Sequence, residues 1–348
     1  MKPSSMLVAA AFAAAALAAG IAAGAPAAPD DALLKDARGV FAPLPKDNMA
    51  TPARPVTPAL VELGRALFFE PRVAVDGTAS CARCHQPQLY GGDGLTASHG
   101  HHDKIGTRNA PTVLNAALQV KQHWSGNRED VEDQATRALT GAGSFGNADY
   151  EAPMARLKAI PGYRPLFAAA FPGEADPVTA KNWGIAIGAF ERTLVSRSRF
   201  DDFLDGRYDA LSAQERAGLR TFIDTGCIAC HDGAGVGGGD FRKFGVVEDY
   251  WKATGSKDPD KGRAADTRKA EDEYIFKVPT LRNVAMTGPY FHDGSVASLD
   301  QAVRVMARVQ LGVQVGDKEV QDIVAFLGSL TGPVPANYAT VPVLPAER

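Results

Sequence analysis

Two copies of one short motif constrain this chain more than any other feature: Cys81-Ala82-Arg83-Cys84-His85 and Cys227-Ile228-Ala229-Cys230-His231. Together they use all four cysteines of the 348 residues. Cysteines at i and i+3 share one face of a helical turn, with the histidine close behind. That spacing is the attachment signature of a c-type haem, in which the thiols reach the two vinyl groups on one edge and the histidine stands over the iron. A zinc site would set its cysteine pairs about 15–20 residues apart. A redox dithiol would leave both histidines unexplained. Two covalently bound haems are therefore expected, on Cys81, Cys84, Cys227 and Cys230, with His85 and His231 as the proximal iron ligands.

The N-terminus tells where such a chain works. Residues 1–27 read as a secretory signal. Lys2 gives a positive start, Met6 to Ala19 an apolar alanine-rich run, and Ala23-Gly24-Ala25 or Ala25-Pro26-Ala27 a small-residue cleavage site. The run is too short to make a good membrane span, and no later segment approaches one. The expectation is an exported protein, periplasmic in a Gram-negative source, with no membrane span after cleavage. Spare cysteines in that oxidising compartment become disulfides, and here none is spare. A net charge of -3 lacks the basic surplus of a nucleic-acid binder. Hydrophobic residues at 45% and charged residues at 22% are ordinary for a globular chain.

The chain looks duplicated. Before the first motif, Thr57 caps a helix, Pro58 opens it, and Leu60, Leu63 and Leu67 recur at helical spacing. Before the second, Ser212 and Glu215 form a capping box. Each unit reads as a helix, a short turn and a haem motif, and this is how a small cytochrome c domain begins. A closing helix follows in the second unit, with Val320, Ile323, Val324 and Leu327 on one face and Gly332-Pro333 as its stop. Trp183 to Leu194 carries another helical pattern, residues 91–106, 141–149 and 232–263 read as loops, and no strand alternation appears. The fold expected is mainly α, with two cytochrome-c-like haem domains under long haem-covering loops: residues 28–205 around the first haem and 206–348 around the second.

Each iron has a second axial position, whose occupant separates catalysis from electron transfer. For the first haem the donor loop is Ser98-His99-Gly100-His101-His102. For the second, Met286 and Met306 both lie downstream in its own domain, and spacing does not choose between them. Methionine raises the potential relative to bis-histidine ligation, so a low-potential first haem and a high-potential second haem are expected.

From residue 55 to Gly332 the chain resembles the bacterial dihaem cytochrome c peroxidases. The segments LGRALFFEPR, GLTASHGHHD, RNAPTVLNAA, HWSGN, FKVPTLRNVAMTGPYFHDG and QAVRVMARVQLG, with both haem motifs, carry the likeness in order. The resemblance implies a peroxidatic N-terminal haem and a C-terminal haem that receives electrons from a small c-type cytochrome or cupredoxin, with H2O2 reduced to water. It implies His101 as the removable distal ligand of the first haem and Met306 as that of the second, leaving Met286 to packing. It places Trp124 between the haems, Gln134 in the catalytic site, and one Ca²⁺ at Asn109 and the carbonyls of Thr287 and Pro289, oxygen donors that suit calcium. It also implies a homodimer.

One departure bears on chemistry. Ten residues beyond Gln134, where the family has a catalytic glutamate, this chain has Ser144. Peroxide cleavage moves a proton between the two oxygens, a service a positioned carboxylate supplies at about 10²–10⁴-fold and a serine does not. His99, His102, His123, Asp149 or Glu151 would have to substitute. The competing expectation is a dihaem electron-transfer or sensor protein with weak or no peroxidase activity. A relative of the dihaem enzymes that oxidise a partner protein would typically carry tyrosine at position 306.

Overall fold

The computed structural model describes residues 29–347. The expected signal segment lies outside the described residues. The N-terminal half contains α1 (Pro29–Val40), α2 (Pro58–Phe68), α3 (Cys81–Cys84), α4 (Val131–Ala138), α5 (Glu151–Lys158), α6 (Tyr163–Ala170), α7 (Ala180–Glu191) and α8 (Arg199–Leu204). The C-terminal half contains α9 (Ala213–Asp224), α10 (Tyr250–Thr254), α11 (Ala264–Thr267), α12 (Leu299–Met306), α13 (Asp317–Ser329) and α14 (Ala336–Ala339). The architecture is mainly helical, as expected. The caps also match: the Thr57 hydroxyl accepts from the Leu60 N–H at 3.3 Å, and Ser212 and Glu215 close their capping box.

Two details differ from expectation. Strands β1 (Phe241–Lys243) and β2 (Ile275–Lys277) form a small antiparallel ladder. Three residues each are too few to show alternation in a sequence. In the first unit, residues 69–80 separate α2 from its haem motif, where a short turn was expected; in the second, α9 and its motif nearly touch.

The duplication is physical. Helices α2 and α7 cross at Gly64, where an added methyl would lie 1.8 Å from the Ala186 carbonyl oxygen. Helices α9 and α13 cross at Gly218 in the same way, 1.8 Å from the Asp322 oxygen. Only a residue without Cβ lets the two backbones meet. Beyond each motif the chain repeats a second device. Thr112 donates to the Tyr90 carbonyl and Thr280 to the Gly235 carbonyl, both at 2.6 Å. Asn115 and Asn283 then turn the chain at φ 60° and 61°, a left-handed conformation that asparagine tolerates. Their N–H groups bond the Leu194 and Leu330 carbonyls, just past the ends of α7 and α13.

Packing cuts across the linear division at 205/206. The N-terminal core gathers Leu63, Leu67, Phe68, Trp183 and Phe190, and takes in Tyr338 from α14. The C-terminal core gathers Leu219, Phe222, Ile323 and Phe326, and takes in Leu33 and Ala37 from α1 and Phe200 and Phe203 from α8. Each terminus thus completes the opposite core. A buried ion pair fixes this crossing: Arg282 and Asp201, both wholly buried, bond through two N–H···O contacts of 2.9 and 3.0 Å.

Candidate functional site

The C-terminal motif opens onto a cavity with about 1730 Å³ of empty space, part of it open to solvent. Cys227, Cys230, His231 and Met306 all line it, against Phe222, Ile323 and Leu327 from α9 and α13. Burial holds the His231 imidazole neutral, its pKa lowered to about 4. Its Nδ1 lies 3.4 Å from the Val236 carbonyl oxygen. With the proton on Nδ1, the Nε2 lone pair is left for a metal, the arrangement usual for a ligating histidine. Met306 ends α12 where the helix widens into a π turn over Ala307–Leu311. Met286 is 47% exposed and does not line the cavity. The packing role expected for it is therefore corrected: it ends a 3₁₀ turn at the surface.

The chemistry of the cavity's lining suits a porphyrin. Its walls are mostly apolar, its charged lining residues are Arg242, Lys243 and Lys277, and no Asp or Glu lines it among the described residues. A haem brings two flat apolar faces and two carboxylates, so these walls complement it. Burial pushes the Cys227 thiol up to about 11.

The N-terminal centre repeats the proximal geometry. His85 Nδ1 lies 3.0 Å from the Gly91 carbonyl oxygen, and burial lowers its pKa. Its own carbonyl accepts from the Tyr338 hydroxyl at 2.7 Å. His101 is buried in the 3₁₀ turn His101–Asp103. Its backbone N–H donates to the Ser144 carbonyl at 2.9 Å, and its ring Nδ1 lies 3.2 Å from the same oxygen. The ring rests on Gly146, where an added methyl would approach it to 2.3–2.5 Å. The following residues, His102 and Asp103, hold φ at 50° and 53°. The Ser144 hydroxyl points elsewhere. It donates to the Ala138 carbonyl at 2.8 Å, with the Gly141 oxygen at 3.3 Å. Gln134 is half-buried on α4, the helix that ends in this same turn.

Trp124 lines the C-terminal cavity, and its indole donates to the Asn109 carbonyl at 2.9 Å. Its neighbour His123 is within electrostatic reach of His85, and burial lowers it to about 4. Asn109 is buried beside Trp124. The side-chain amide donates to the Leu95 carbonyl at 2.7 Å, leaving its oxygen free to accept. Asn109, Thr287 and Pro289 line one cavity together. Three residues near these centres carried no signal in the sequence: Tyr338, the buried Glu191, and Lys277.

Duplicated helix pairs, each with a Cys-x-x-Cys-His centre between its two helices in sequence, define the class as a two-centre c-type cytochrome. Residues 58–209 match the di-haem cytochrome c peroxidase family and residues 216–331 the cytochrome c family. The chain is 40% identical over 325 residues to a cytochrome c551 peroxidase of Pseudomonas aeruginosa, covering 92% of each. It is 40% identical over 301 residues to one of Nitrosomonas europaea, covering 85% of this chain and 87% of that one. A methylamine utilization protein MauG of Methylorubrum extorquens is 35% identical over 305 residues, 84% of this chain and 83% of that one. Among solved structures, a MauG-like protein associated with microbial copper homeostasis superposes with a TM-score of 0.74 at 28% identity, over 85% of this chain and 97% of that one. The chain belongs to the di-haem cytochrome c peroxidase family, a family of oxidoreductases that carry two c-type haems.

Among the described residues no helix is long and apolar enough to cross a membrane.

Proposed function

We propose that this chain is a periplasmic peroxidase that reduces H2O2 to water with electrons from a small c-type cytochrome or cupredoxin, acting as a homodimer. His85 and His101 hold the N-terminal iron, His231 and Met306 the C-terminal iron, and Asn109 with the Thr287 and Pro289 carbonyls a calcium ion. Bound at these sites, the haems supply the one-electron chemistry. The remaining work belongs to the chain. A thioether on the C-terminal iron favours its reduced state. Trp124 fills the space between the centres. His101 is the group that leaves.

The observation that carries this reading is the loop that bears His101. His102 and Asp103 hold left-handed backbone that costs on the order of 1–3 kcal/mol each. Met306, by contrast, sits on continuous helical backbone, where α12 passes into the π turn. One distal ligand is thus poised to swing out as its loop orders or melts, and the other is fixed. His85 and His101 would hold the N-terminal haem, His101 would be the ligand released for peroxide to bind, and Gln134, half-buried on α4, would orient the peroxide.

Proton transfer is where this chain departs from its relatives. The Ser144 hydroxyl is already committed to the Ala138 carbonyl. Of the substitutes, Asp149 caps α5 through the Glu151 and Ala152 N–H groups, and Glu151 is exposed in the first turn of α5. Burial lowers His123 to about 4, close to an ordinary carboxylate. His99 and His102 lie on the same loop as His101. The committed serine favours a second reading, a dihaem electron carrier or sensor.

Steady-state oxidation of a reduced small c-type cytochrome by H2O2, with calcium-loaded, half-reduced holoenzyme, separates the two. The peroxidase reading expects turnover by the natural chain and a further rise in Ser144→Glu. If the half-reduced enzyme ignores peroxide and its N-terminal haem stays six-coordinate, the electron-carrier reading replaces it.

A further inference from the structure

Lys277 is 4% exposed and ends β2 on the wall of the C-terminal cavity. Lysines are almost never fully buried unless paired. Yet no carboxylate pairs with Lys277 among the described residues, and its ammonium bonds only the Gln119 side-chain oxygen. Burial, with no opposing charge, lowers it to about 7. An uncompensated buried cation is costly, so its partner is to be sought among what the cavity holds. That partner is anionic, since the other charged lining residues are Arg242 and Lys243. The position is held from both sides. The Lys277 backbone N–H donates to the Trp124 carbonyl at 2.7 Å, and Gln119 packs on Gly238, where an added methyl would come within 2.8 Å of it.

We propose that Lys277 is the buried counter-ion of a carboxylate of the C-terminal haem, on the side facing Trp124, and that its charge holds that haem's potential up. The inference rests on reading the cavity as a haem site. Paired with that carboxylate, the ammonium keeps its charge, and a positive charge at the edge of the haem favours the less positive, reduced state, screened far less by a cavity wall than by water. Lys277 is a positioning residue: it touches the cofactor's periphery and adjusts the driving force for electrons that enter there.

The test is a redox titration of the holoprotein with optical detection of each haem, in wild type and in Lys277→Met, Lys277→Gln and Lys277→Arg. Mass spectrometry of each sample counts the attached haems. Chains that carry fewer than two would sink the haem reading itself, separately from the role of Lys277. With two haems attached, Met and Gln are expected to shift the oxidised-to-reduced ratio of the C-terminal haem on the order of tenfold toward oxidised at a fixed poise. Arg is expected to restore it. An unchanged ratio in Met and Gln overturns the proposal, as does an equal fall in Arg or a shift confined to the N-terminal haem.

Discussion

A methyl group at Gly146 has no room beside the His101 ring, and the residue holds φ at +72°. Gly146→Ala is therefore expected to push His101 off its resting place with the main fold intact. The measurement is the spin state of the N-terminal haem in the fully oxidised holoprotein. The account expects a high-spin fraction that binds cyanide or peroxide without prior reduction, while wild type stays low-spin. Glu191 makes a different statement. It is buried beside the Cys81 thiol, and burial raises its pKa to about 8. The folded chain thus keeps this proton where the unfolded chain, at the usual 4.5, has lost it. Stability from this group is present below about pH 4.5 and is lost as pH rises to about 8, by up to ~1.4 kcal/mol per pH unit. Denaturant unfolding of Glu191→Gln should show a flatter pH dependence across that window; an unchanged slope would refute the assignment.

At the scale of elements, the glycine crossings order the two haem units. Gly218→Ala forces a methyl into the Asp322 carbonyl, so α9 and α13 must separate. The expected loss is on the order of 3 kcal/mol or more. Gly328→Ala, on the same α13 with open space around it, is expected to stabilise by about 0.5–1 kcal/mol. Thermal unfolding of the two variants reads both signs. These helices were legible in advance because caps and periodicity are local: Thr57, Ser212 and Glu215 state their roles in a few residues. The short strands were not, since three residues carry no period. Nor was the exposure of Met286, the burial of Lys277 or the placement of Glu191. Those follow from which segments pack together, a non-local matter on which a single charged or apolar letter is silent.

For the whole molecule, the exchange of termini between cores matters most. Tyr338 packs among Phe68, Phe69 and Phe190 and donates to the carbonyl of His85. Tyr338→Ala removes a core aromatic at a cost of about 3–5 kcal/mol. Although it lies near the C-terminus, it should loosen the N-terminal haem first. Hydrogen exchange is expected to rise in α2 and α7 ahead of α9 and α13; the reverse order would contradict the core assignment. The haem motifs and most of the helical plan were plain from the sequence, but this exchange was not, because α1 and α14 are terminal segments that fit either core by composition.

The central claim is that two electrons stored in one chain reduce one peroxide. A single-turnover titration tests it without any donor protein: fully reduced, calcium-loaded holoprotein is mixed with one equivalent of H2O2 and both haems are followed optically. The account predicts that one equivalent oxidises both haems. Reduced haem persisting at either centre, with the peroxide left unconsumed, would contradict it and leave an electron carrier whose Ser144 hydroxyl is spent on the Ala138 carbonyl.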